Sequence, residues 1–410
     1  MSPTTHLAAI NFFAGDIQGG LGPFLSTWLA RTGHWSPDRV GLVTTIVGLG
    51  TLVLNGPAGA LADRTGRPRL LLGMACAAIL AGTLSLLHTR SFTAVLLAQF
   101  VAAAGGTLVL PAMTSLTLGI VGKGAFPRQQ GRNQAFNHGG ILAAALLIGG
   151  GAQLLGNGIA FLVLGAMALS AIAAVATTPA NAWNGRRAHG WKEDEPDDAD
   201  HRHPLLKVLA NRRLLLLAAA LALFNLGNGA MLSLVSQRLV ATGAGATSWT
   251  AAYVTVAQLT MIPVALWAGS LADKRWRRSL LLIACGAFLV RAVISALVSS
   301  PPWLIPAEVL DGVASGLLGV AVPVLVADLT WGSGHTQTAL GTVSALQGVG
   351  GALSGLFGGT LVGWLGWTAA FFGLAVPGAA AFALALWLVK VSKKAEKADA
   401  AAHAPVQTKG

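Results

Sequence analysis

Charge is scarce in this sequence. Only 10% of its 410 residues are Asp, Glu, Lys or Arg, against roughly a quarter in a soluble domain. A chain with so little charge cannot cover a water-facing globule of this size. Cysteine is almost missing as well: Cys76 and Cys285 stand alone, too few for a disulfide framework. Phosphate-cradling GxxxxGK[ST], zinc-binding HExxH and nucleophile-elbow GxSxG patterns do not occur. Their absence argues against a built-in ATP motor and against hydrolytic chemistry, so neither an enzyme nor a cofactor is expected.

What the sequence has instead is apolar length. Hydrophobic residues make up 54% and the mean hydropathy is +0.66. A helix needs about 20 apolar residues to cross a bilayer, and such runs recur along nearly the whole chain. Twelve are expected: 7–30, 40–62, 70–87, 92–119, 134–155 and 157–178, then 214–239, 249–272, 280–298, 303–329, 339–362 and 365–389. Lipid offers the backbone no hydrogen-bond partner, so each run is read as a helix. The expected fold class is therefore an all-α integral membrane protein. The first run is too long for a signal-peptide core and no Lys or Arg precedes it, so it is expected to be retained.

Positive charge sets the orientation. With both termini cytoplasmic, 22 of the 27 Lys and Arg lie on the inner side, leaving Arg31, Arg39, Arg90, Arg238 and Arg291 outside or within helices. That skew follows the positive-inside rule. It also accounts for the +12 net charge without a nucleic-acid partner. Asn-x-Ser/Thr sequons are missing, which favours a bacterial inner membrane.

The sequence repeats itself. "GALADRTGRPR" at 59–69 finds "GSLADKRWRRS" at 269–279, a shift of 210. Asn137 pairs with Gln347, Gly156 with Gly366 and Phe161 with Phe371 at the same shift, and Cys76 with Cys285 at 209. A nearly constant offset over six spans means two halves of six, running parallel because six crossings return the chain to its starting side. The division expected is 1–179, a linker at 180–213, 214–391, and a tail at 392–410.

"GALADRTGRPR" resembles the signature of the major facilitator superfamily between its second and third helices, and "GSLADKRWRRS" resembles the weaker second copy. The resemblance covers essentially the whole chain, and Trp276 departs from it where Gly66 stands in the first copy. It implies two six-helix halves that rock about a central cavity. It also implies a cytoplasmic gate built from Gly59, Asp63, Arg64, Gly66, Arg67 and Arg69, with Asp273 and Arg277 in the second copy. Physically, Gly59 permits close helix approach and Gly66 a tight turn. Asp63 suits the positive end of a helix that starts near Thr338. Asp273 would do the same against the fifth helix.

Ionisable residues inside the bilayer are costly and mark function by default. Asp16 lies about 13 Å into the first helix, at the shoulder of a small polar stripe that includes Asn11, Gly15 and Gln18. Arg291, Glu308 and Asp311 fall on the ninth and tenth helices. Antiparallel packing brings Arg291 and Asp311 to similar depths; whether Arg291 pairs with Asp311, pairs with Glu308 or extends toward the outer surface stays open. These four are the candidates for proton or substrate coupling. Gln18, Gln99, Asn137, His138, Asn225, Asn228, Gln258 and Gln347 are candidate cavity residues, because amides recognise a ligand without charge. The corresponding place for the superfamily's frequent fourth-helix arginine holds Gln99. In the linker, His201 and His203 are poorly spaced as metal ligands, and no metal site is expected; Pro204–Arg213 reads as a short surface helix.

The expected function is secondary transport by alternating access: proton-coupled export of a small organic or drug-like molecule. Proton symport or facilitated uptake of a metabolite is the alternative, and a non-transporting receptor on the same fold is a third. The partners expected are the substrate, protons and the bilayer, with the protein a monomer.

Overall fold

The computed structural model describes residues 2–17, 28–29, 35, 37–155, 158–191, 204–241, 246–271 and 277–402. Among them the chain is almost wholly helical. Its main helices are α1 (Pro3–Ile17), α2 (Pro37–Thr65), α3 (Pro68–Ser85), α4 (Phe92–Leu155), α5 (Ile159–Ala176), the short α6 (Gly185–His189) and α7 (Pro204–Ala210). There follow α8 (Arg212–Asn228), α9 (Met231–Ala241), α10 (Ala246–Leu271), α11 (Arg277–Leu297), α12 (Ile305–Leu329) and α13 (Thr336–Ala402).

Nine stretches of helix among the described residues are long and apolar enough to span a membrane, α8 and α9 together forming one of them. Two of the nine, α4 and α13, are each two spans joined at a single glycine. Gly122 (φ 70°) breaks α4 and Gly366 (φ 79°) breaks α13, each in a backbone conformation that a side chain would strain. With the 15-residue α1, the twelve-helix plan is complete. Side chains such as Val53, Leu356 and Trp364 are exposed on the outer surface, as lipid-facing positions should be.

The structure moves several expected helix ends. Residues 120–133, read from sequence as a loop, are helical apart from Gly122. Their charges remove them from a hydropathy window, but a helix continues past the bilayer wherever its backbone bonds are kept. The same holds for α13, which runs to Ala402 into the stretch expected to be a tail. The seventh span is interrupted: α8 ends at Asn228 and α9 starts at Met231. A short helix occupies Pro204–Ala210, and Asn211 then caps α8 by accepting from the N–H groups of Arg213 and Leu214.

Burial follows the repeat. One apolar cluster draws on residues from Leu7 to Val175, the other on residues from Val208 to Leu388. Cys76 and Cys285 lie buried at matching places, one in each. A small third cluster of Leu118, Phe126, Val324 and Ala327 joins the halves. Gly122 and Gly332, 210 apart, both take positive φ at turns between helices, so the repeat extends to backbone conformation.

Candidate functional site

The face of the membrane that carries residues 63–69 is called the motif face below. Three groups of polar residues sit at increasing distance from it.

The first is on the motif face itself. Asp63, in the last turn of α2, reaches the N-terminus of α13. The N–H groups of Gln337 and Thr338 donate to its two carboxylate oxygens at 3.1 and 2.6 Å, and the Thr338 hydroxyl adds a third bond at 2.7 Å. A carboxylate from one half thus caps a helix of the other, where the helix dipole is positive. The approach is possible because Gly59 has no side chain: a Cβ there would overlap the Gln337 carbonyl. Gly269 repeats the arrangement in the second half: a Cβ there would overlap the Cα of Gly131 and crowd the Pro127 carbonyl of α4. Asp273 itself lies outside the described residues. Gly66 takes φ 55° at the turn, and Arg69 donates to the carbonyls of Val175 and Ala176 at the end of α5. Arg64 and Arg67 are exposed.

Sequence reasoning overlooks the start of the linker, which strengthens this contact. His189 Nδ1 lies 3.7 Å from Asp63, and Gln337 Nε2 donates to the Ala188 carbonyl at 3.3 Å. Trp183 anchors the same segment to α4 by donating to the Ser115 carbonyl. No periodicity signals a polar linker that folds back onto a helix end. Nearby, Arg277 donates to both oxygens of Asp328 at 2.7 and 2.6 Å, and Lys123 lies 3.9 Å from that carboxylate.

The second group crosses between the halves deeper in the bundle. Gln130 and Gln134 of α4 both donate to the Gly319 carbonyl of α12, and His138 Nδ1 donates to Gln258 Oε1 of α10 at 2.9 Å. Two cavity candidates, His138 and Gln258, are therefore partners. Gln99, Asn137 and Gln347 are half-buried and make no side-chain hydrogen bond among the described residues. Asn225 donates back to the Leu221 carbonyl of its own helix. Gln18 lies outside the described residues, and Asp16 belongs to α1 but its side chain is not among those described.

The third group is a buried cluster of charges. Arg291 lies fourteen residues into α11, about 21 Å from that helix's start. Its Nη1 donates to Asp311 Oδ1 and to Asn228 Oδ1, both at 2.6 Å. Its Nη2 donates to both oxygens of Glu308 at 3.0 and 3.2 Å. Asn228 Nδ2 closes the ring onto Asp311 at 3.2 Å. The side chains of Arg291 and Glu308 are 1% exposed, and that of Asp311 is 15%. Arg291 thus binds both carboxylates rather than one, and does not extend toward the surface. Asn228, singled out from sequence only as a cavity amide, joins them from the last residue of α8; Ser354 accepts the Ala230 N–H just beyond it. One guanidinium faces two carboxylates, so the group is neutral only when one of the two carries a proton.

Comparison with known proteins gives a consistent answer. The model of the Major Facilitator Superfamily matches residues 7–330 and 254–409. An uncharacterized MFS-type transporter of Mycobacterium tuberculosis is 33% identical over 382 residues, covering 93% of this chain and 91% of that one. A triacylglyceride transporter of Mycobacteroides abscessus is 38% identical over 106 residues, 25% of this chain and 20% of its own. Among solved structures, the MFS transporter FucP in its outward conformation superimposes with a TM-score of 0.71 at 16% identity, covering 95% of this chain and 99% of that one. A family model spanning the chain, a full-length relative, a matching fold and twelve helices in two halves lead to one conclusion: this multi-pass membrane protein belongs to the Major Facilitator Superfamily of transporters.

Proposed function

We propose that the protein is a proton-coupled secondary transporter that exports a small organic molecule by alternating access. The observation that carries the coupling is the cluster around Arg291. Its two carboxylates share one guanidinium, so a proton can enter or leave while the cation stays in place, and burial makes the neutral state matter. Asp16 is a second candidate for the same work. Gln99, Asn137 and Gln347 supply uncharged donors and acceptors for the cargo. The rocking units are residues 1–179 and 214–391, joined by 180–213 and followed by 392–410. The motif face is cytoplasmic, with both termini on it, in a bacterial inner membrane, and the working unit is a monomer.

The contacts between the halves favour one stage of the cycle. The Asp63 latch, the Gln130 and Gln134 bonds to Gly319 and the Lys123–Asp328 pair all lie toward the motif face. Such a molecule is shut on the motif face, and opening requires Asp63 to leave the end of α13.

Uptake is the second reading, and one observation favours it. Drug antiporters of the superfamily often carry a Gly-Pro pair in a glycine-rich fifth helix, whereas residues 133–151 here are glycine-rich and proline-free. The relative's triacylglyceride cargo extends the candidate cargoes to lipids.

The deciding experiment has two steps. Drugs, organic acids, sugars and acylglycerols are screened for thermal stabilisation of the purified protein; a ligand at 100 times its Kd adds about 2.7 kcal/mol. Hits are then followed in proteoliposomes with an imposed pH gradient. Gradient-driven antiport that is lost in Glu308→Gln while substrate counterflow survives supports the proposal. Co-transport with protons selects the uptake reading, and binding without any counterflow selects a receptor.

A further inference from the structure

The start of the linker touches both halves at once. Helix α6 is a single turn bounded on both sides: Asn184 accepts the Arg187 N–H at its start, and Gly190 closes it at φ 76°. A tryptophan flanks each end. Trp183 lies on the first half. Its indole N–H donates to the Ser115 carbonyl at 3.3 Å, and the Asn184 N–H donates to the Gly119 carbonyl at 3.1 Å. Gly119 makes room for the indole, since a Cβ there would overlap it.

The other end lies on the second half. The Gly190 carbonyl accepts the Gly332 N–H, the Ala188 carbonyl accepts from Gln337 Nε2 at 3.3 Å, and the His189 carbonyl accepts from the Thr336 hydroxyl at 3.4 Å. Trp191 packs on Gly334, where a Cβ would overlap its indole. Arg187 passes over Gly122. Gly122 and Gly332 are equivalent turns of the repeat, so residues 183–191 bridge the same point of the two halves. The bridge also meets the latch. His189 Nδ1 lies 3.7 Å from Asp63, and Gln337 gives its own N–H to that carboxylate.

We propose that residues 183–191 are a strap that helps hold the motif face shut, staying on the first half and letting go of the second whenever that face opens. Opening carries the start of α13 away from α2, and a segment this short cannot stay bonded to both halves. Tether length decides which end releases. Residues 177–182 alone join α5 to Trp183, whereas residues 192–203 separate Trp191 from α7. A short tether keeps a loosened group beside its site, and a longer one lets it move off. The contacts of residues 188–191 with 332–337 therefore belong to the shut stage and bias the equilibrium toward it. The strap rests on the alternating-access reading, but not on proton coupling or on the direction of transport.

The test uses the full-length protein with Cys76 and Cys285 replaced and the buried Thr342→Cys as reporter of opening, together with hydrogen exchange read at single amides. The Gly332 amide is bonded to the strap, and the Asn184 amide to the first half. Trp191→Ala is expected to react with maleimide several-fold faster than its parent. Trp364→Ala, which removes an exposed tryptophan away from the strap, is expected to react at the parent rate. In Asp63→Ala the Gly332 amide is expected to exchange faster, and the Asn184 amide at the wild-type rate. Parental labelling in Trp191→Ala overturns the proposal, as does an Asn184 amide that speeds up together with Gly332. An unmoved Gly332 amide in an Asp63→Ala protein that labels faster strikes the strap alone; slow labelling in both variants strikes alternating access with it. Neither readout needs cargo or a pH gradient, so proton-coupled export can fail while the strap stands.

Discussion

Arg291 is held by three side chains on two other helices, and each contact predicts a different outcome. Arg291→Met leaves two buried carboxylates without their cation and is expected to cost about 3–5 kcal/mol, read as a large fall in unfolding midpoint. Glu308→Gln leaves Arg291 paired with Asp311, a balanced group, and is expected to fold nearly as well as wild type while losing proton-driven transport. Asn228→Ala removes an acceptor of Arg291 and a donor to Asp311, at about 1–3 kcal/mol. The sequence makes the three charged members legible, because charge inside an apolar run is conspicuous and helix length fixes its depth. It does not make Asn228 legible as their partner. That depends on a contact with Asp311 83 residues away in sequence, which leaves no local trace.

Among the helices, the decisive contact is α2 against the start of α13. Asp63→Ala removes a cap worth about 0.5–2 kcal/mol, which shifts a two-state equilibrium by about twofold to about thirtyfold. The expected result is easier opening of the motif face. It is measured as faster maleimide labelling of Thr342→Cys, buried just past the latch, in a background with Cys76 and Cys285 replaced. Gly59→Val acts more strongly, since its Cβ would overlap the Gln337 carbonyl; faster labelling than in Asp63→Ala and loss of transport are expected, with the protein still made. Slower labelling in either variant would contradict the latch. The motif in "GALADRTGRPR" makes Asp63 and Gly59 legible. The partner helix is known in advance only through the family resemblance, because a contact 274 residues away in sequence leaves no local trace. The helical stretch 123–133 is hidden for another reason: hydropathy finds where helices enter lipid, not where they end.

At the scale of the whole molecule, two halves share one plan, and the differences between them assign work. The first half contributes Asp63 to the latch; the second contributes the Arg291 cluster, toward the opposite face. Twelve crossings, the internal repeat and the charge skew are all readable from composition and spacing, since the bilayer restricts the chain to helices. Cargo is not readable that way, because a cavity between rocking halves is lined by residues scattered across them. In the proposed mechanism one of the two carboxyls beside Arg291 carries a proton that can be exchanged. Infrared spectroscopy of the buried protonated-carboxyl band, titrated from acid to alkaline pH in wild type, Glu308→Gln and Asp311→Asn, tests it most directly. The wild type is expected to show a band that titrates and is lost or displaced in the variants. Identical spectra in all three proteins, or no protonated carboxyl at any pH, would contradict it.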